Sequence, residues 1–81
     1  MKTAVAKERT TKYGFKYLTY KVDRKIAVEI AYPNEFTPGF RTQGHGWCHG
    51  IHSTIETCKA DAEAFLRGLY SIFGGIDIVY C

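Results

Sequence analysis

The chain has 81 residues, 46% hydrophobic and 15% aromatic, with a formal net charge of +3. That length makes one domain and buries roughly 60–65% of its unfolded surface, so the core is small and aromatic side chains must supply much of it. No apolar run approaches the ~20 residues that span a bilayer, and the composition is not that of a disordered chain.

Charge is unevenly spread. Residues 1–25 hold eight basic groups against Glu8 and Asp23, a local +6, and the remainder sums to −3. A basic segment suits a polyanionic partner, or lysines that keep a sheet edge from pairing with another copy. The N-terminal MKTAVAKERT lacks the apolar stretch of a secretory signal. Cys48, Cys58 and Cys81 follow no disulfide framework. A cytoplasmic protein with reduced thiols is the expectation.

Residues 1–12 are polar and basic, and are expected to be flexible or to add a short extra strand. Residues 13–32 read as a hairpin. Ile26, Val28, Ile30 and Tyr32 alternate with Lys25, Ala27, Glu29 and Ala31. Leu18, Tyr20 and Val22 form the matching apolar set. A two-residue loop would set Val22 opposite Lys25 and Lys21 opposite Ile26. A three-residue loop, Asp23-Arg24-Lys25, sets Val22 opposite Ile26, Tyr20 opposite Val28 and Leu18 opposite Ile30, and a five-residue loop gives the same parity. The three-residue loop is expected, because it gathers the apolar set on one face and a one-residue slip reverses every side chain. Phe15 and Tyr17 then fall on the outer face.

Residues 33–46, PNEFTPGFRTQGHG, read as a long irregular connection, a length often tied to function. Residues 47–52 read as a short strand. The helix runs from Ser53 to Gly75. Ser53 and Glu56 have capping-box spacing, and Gly74-Gly75 ends the helix. Ile55, Cys58, Ala62, Phe65, Leu66, Leu69, Ile72 and Phe73 recur at spacings of three and four, one apolar face expected to be fully packed on the sheet. Ile76–Tyr80 reads as a last strand. The order β-β-β-α-β predicts a single α+β domain over 1–81: a two-layer sandwich with an antiparallel sheet of about four strands on one long helix.

His45, Cys48, His49 and His52 cluster in sequence but match no zinc spacing. On a strand, Cys48 and His52 would stand about 13 Å apart, too far for one ion. A site would need Gly46 or Gly50 to break the strand. Cys48 and His49 alternate in direction, and Cys58 falls on the core face, so no cysteine nucleophile is formed. No phosphate-cradling glycine motif follows a strand. The chain is expected to be no enzyme, with no catalytic residue, metal or cofactor.

Two binding surfaces remain. Phe36, Phe40, Arg41, Trp47 and His49 are residue types that anchor protein interfaces, and form the expected partner site. Alternatively, Lys12, Phe15, Lys16, Tyr17, Lys21 and Arg24 could stack bases and neutralise phosphates of single-stranded DNA or RNA. The outer face of Phe15, Tyr17 and Ala31 would also serve a homodimer.

The hairpin KYLTYKVDRKIAVEIAY, the capped helix STIETCKADAEAFLRGLYSIFGG and the ending IDIVYC together resemble the small inhibitor proteins of bacteriophages and mobile elements, the anti-CRISPR proteins among them. The likeness is one of size and architecture over the whole chain. It implies binding to a host protein or nucleoprotein complex in the host cytoplasm, and blocking it.

Overall fold

A computed structural model of the protein describes residues 2–44 and 47–81, with the backbone alone for 47–49. It is an α+β fold with strands β1 (Lys2–Thr10), β2 (Lys16–Val22), β3 (Lys25–Ala31), β4 (Phe40–Gly44) and β5 (Trp47–His52), helix α1 (Ile55–Leu69) and strand β6 (Ile76–Tyr80). The six strands make one sheet in the order β5-β4-β3-β2-β1-β6. All neighbours are antiparallel except β1 and β6, which run parallel. The sheet is therefore mixed, and larger than the four antiparallel strands expected.

The two additional strands have separate causes. Residues 2–10 do not fray. They form a central strand, because Ala4 and Ala6 are fully buried between β2 and β6. Alanine is a weak strand former, so this depends on neighbours rather than propensity. In the expected irregular connection, Asn34 builds a turn: its side-chain oxygen accepts from the N–H groups of Phe36 (2.8 Å) and Thr37 (2.9 Å). After Gly39 (φ +80°) the chain enters β4 beside β3.

The hairpin pairs Leu18 with Ile30 and Tyr20 with Val28, as expected, but its tip differs. Val22 pairs with Lys25 across the two-residue turn Asp23-Arg24, with φ of 53° and 68°. Positive φ at both positions is the turn geometry that matches strand twist. Lys21 then faces Ile26, and a bulge at Ala27 restores parity before Val28. The bulge buries Ala27 and leaves Ile26 exposed.

The helix starts one residue later than the capping box suggests. Thr54, with extended backbone (φ −128°, ψ 155°), is the N-cap, and its hydroxyl accepts from the Thr57 N–H at 3.3 Å. Cys58, Ala62 and Leu66 are buried against the sheet, with Ile55 and Phe65 beside them. The helix also ends early. The Ser71 hydroxyl donates to the Gly68 carbonyl at 2.9 Å, competing for a terminal acceptor. A 3-10 turn, Ser71–Phe73, follows, and Gly74 and Gly75 take φ of 88° and 95°. Leu69, Ile72 and Phe73 are consequently exposed, Ile72 to 84% and Phe73 to 62%. The apolar stripe is packed only as far as Leu66.

Candidate functional site

The single helix covers one face of the sheet. Pairing places the other face in rows across the strands. One row runs Arg9, Tyr17, Ala31, Arg41, Ile51 from β1 to β5. The next runs Lys7, Thr19, Glu29, Gln43. Lys21 and Val5 pair further down. Among the described strand residues, this open face carries Lys7, Arg9, Lys21 and Arg41 against Glu29 and Asp77.

Local structure fixes the edge of this face. In the β1–β2 turn, the Thr11 hydroxyl accepts from the N–H groups of Tyr13 (3.3 Å) and Phe15 (3.1 Å). The Thr11 N–H donates to the Phe15 carbonyl at 2.8 Å, and Gly14 supplies the φ of +87° that closes the turn. Phe15 is thereby held at the rim, 40% exposed. Arg9 lies across the sheet: its Nε donates to the Thr19 hydroxyl at 3.4 Å, and that hydroxyl donates to the Lys7 carbonyl at 3.4 Å.

Ala31 is the only small residue between Tyr17 and Arg41 in its row. Its short side chain leaves a groove of about 450 Å³ lined by Phe15, Tyr17, Glu29, Ala31, Arg41 and Gln43, among others. The Arg41 Nε is buried there without a hydrogen-bond partner among the described residues. A buried unpaired donor is costly, and with the Nε enclosed it is the rest of the Arg41 side chain that lines the groove.

Of the expected partner-binding residues, Phe36 stands alone in its loop at 78% exposure. Phe40 and Arg41 alternate on β4 and occupy opposite faces. Phe40 packs on the core, its ring 5.3 Å from that of Tyr32 at 69°. The side chains of Trp47 and His49, with Cys48 and His45, lie outside the described residues. Of the expected nucleic-acid residues, Phe15, Tyr17 and Lys21 share the open face. Lys16 sits beside Glu8 (3.9 Å). Lys12 lies over the Tyr13 ring in one turn, and Arg24 lies in the turn at the other end of β2. Charge alone does not single out Lys7 and Arg9 among the basic residues of 1–25. The alternation of Ala4 and Ala6 with Val5, Lys7 and Arg9 is the signal that marks them, but alanine makes it faint.

The covered face holds its own polar network. Tyr20 and Tyr80 flank Ala6 across β1, their rings 5.8 Å apart and nearly perpendicular. The Tyr80 hydroxyl donates to Glu63 Oε2 at 2.6 Å, which leaves Tyr20 to donate to Tyr80 at 2.7 Å. Burial pushes the Tyr20 hydroxyl up to about 12. Burial, then the bond to the Glu63 carboxylate, holds Tyr80 well above its ordinary value. His52 Nε2 lies 3.2 Å from Asp61 Oδ2 and joins β5 to the helix. Cys58 is buried with its sulfur 3.1 Å from the Thr42 hydroxyl, placed for packing rather than for reaction. Among the described residues, no group of three or more histidine, cysteine or acidic side chains could hold a metal, and no helix is long and apolar enough to cross a membrane.

Compared with known proteins, the chain matches no family model, no curated protein and no solved structure.

Proposed function

We propose that the chain is a non-enzymatic binding protein that holds single-stranded nucleic acid on the open face of its sheet. The observation that carries this reading is the row Arg9, Tyr17, Ala31, Arg41, an aromatic ring beside a groove with a guanidinium on either side. Bases stack on aromatic rings whatever their sequence, and cations along the face take the phosphates. Lys7 and Lys21 extend the cationic surface along β1 and β2. Fluorescence anisotropy with labelled single-stranded DNA and RNA at about 50 and 200 mM salt tests it. Binding that weakens steeply with salt is expected, with a shallower slope in the Arg9→Ala, Lys21→Ala double variant. No binding at the lower salt overturns the reading.

A second reading follows from the exposed apolar end of the molecule. Leu69, Ile72 and Phe73 are exposed there, the Tyr70 and Phe73 rings lie 6.0 Å apart, and Tyr70 and the exposed Ile26 line one groove. Contiguous apolar surface marks protein contacts. It supports an inhibitor that binds and blocks a host defence or nucleic-acid-processing complex, the mode implied by the likeness to phage inhibitors. A pull-down from host lysate with the parent chain and with Ile72→Ser, Phe73→Ser tests it. Partners lost from the double variant support the reading; identical recoveries sink it.

A further inference from the structure

We propose that the groove beside Tyr17 is a pocket for one unstacked base of the bound strand, and that the base it prefers is guanine. This rests on the nucleic-acid reading above and names what the groove at the end of that face recognises.

Tyr17 and Arg41 lie two strand spacings apart, about 9.5 Å, with only the Ala31 methyl between them. A flat ring entering that slot stacks on the tyrosine and meets the guanidinium at its edge. Phe15 closes the rim of the slot. One strand beyond Tyr17, Arg9 is placed for the adjoining phosphate.

The polar lining selects the ligand. Glu29 reaches the groove from the next row and forms no ion pair among the described residues. Lys16 and Arg41 also line the groove, but the Glu29 carboxylate disfavours a phosphate or a carboxylate beside it. It favours a neutral group with two parallel donors. Arg41 lines the groove as well, and its guanidinium carries donors only, so a ligand edge beside it must offer an acceptor. Guanine carries both along one edge: N1–H and the N2 amino group for a carboxylate, and O6 for a guanidinium. Adenine and cytosine offer the carboxylate one amino group, and thymine a single ring N–H.

Anisotropy at about 50 mM salt is measured with thymidine oligonucleotides of roughly 12 nucleotides, unsubstituted or carrying one central guanine, adenine or cytosine. The single substitution keeps guanine from forming quadruplexes. The guanine probe is expected to bind about tenfold more tightly than the thymidine probe. Glu29→Gln is expected to bring the two affinities together. Arg41→Lys, which keeps the charge but loses the planar fork, is expected to narrow the ratio as well. Equal binding of all four probes, preference for adenine or cytosine, or a guanine preference that survives both substitutions overturns the pocket and leaves the sheet-face reading standing. Failure of every probe to bind overturns both.

Discussion

On the covered face of the sheet, Ala6 lies between Tyr20 and Tyr80; on the open face, Ala31 lies between Tyr17 and Arg41. Both rows set a large side chain on either side of a small one. On the covered side the two tyrosines lean together over the alanine, bond to each other and pass the chain of hydrogen bonds on to Glu63 of the helix. On the open side nothing described closes the row, and the Arg41 Nε is left without a partner. The same arrangement thus makes core where a helix lies above it and a groove where none does. Small residues in a sheet are filled by their neighbours or by a ligand.

The largest expected effect lies under the helix. Leu66 is fully buried, and Leu66→Asp places a carboxylate with no partner in the core. Loss of a cooperative thermal transition is expected; a melt resembling the parent would show that the covered face is not the core.

The two alanines sharpen the comparison directly. Ala6→Leu overfills the space between two packed rings and is expected to destabilise by about 1–3 kcal/mol in urea unfolding. Ala31→Leu fills an empty groove, so stability is expected to stay within about 0.5 kcal/mol while oligonucleotide binding is lost. Equal effects of the two on stability would break the distinction between the faces.

Tyr80→Phe removes the central hydroxyl of the covered row and is expected to cost about 1–2 kcal/mol. The same row sets an alkaline limit. Tyr20 titrates at about 12 in the folded state, above the ordinary value of 10.0. Its contribution to stability is therefore complete below about pH 10 and lost as pH rises through about 12. Urea midpoints are expected to fall between about pH 9 and about pH 11, and the fall is expected to be smaller in Tyr80→Phe because Tyr80, itself held above its ordinary value, no longer titrates. A flat profile in the parent would contradict the burial of the Tyr20 hydroxyl.

The smallest effect separates two adjacent residues. Thr54→Ala is expected to cost about 1 kcal/mol as loss of the N-cap, and Ser53→Ala only a few tenths. The reverse order would place the cap where the S-x-x-E spacing suggests.

Much of the fold is written in local pattern. That Leu18, Tyr20, Val28 and Ile30 share one face follows from alternation, and the stripe Cys58, Ala62, Leu66 from helical spacing. The errors fall where pattern is ambiguous. The hairpin tip satisfied twist with a two-residue turn and repaired parity with a bulge, and local spacing cannot weigh those against each other. β1 was hidden because its inward residues are alanines. β4 was hidden behind Pro38 and Gly39. The groove shared that fate. Tyr17 was legible as an outward aromatic, but its meeting with Arg41 required β4 to lie beside β3.

The sequence by itself determined that these strands have two unlike faces, that one helix carries an apolar stripe, and that the first 25 residues are basic. Tertiary structure decided where the basic residues went. By taking β1 into the sheet between β2 and β6, with the alanines inward, it turned Lys7 and Arg9 onto the open face. The physical reason is that alternation fixes which residues share a face, whereas burial requires something to cover it. One 15-residue helix can cover only one side of a six-stranded sheet.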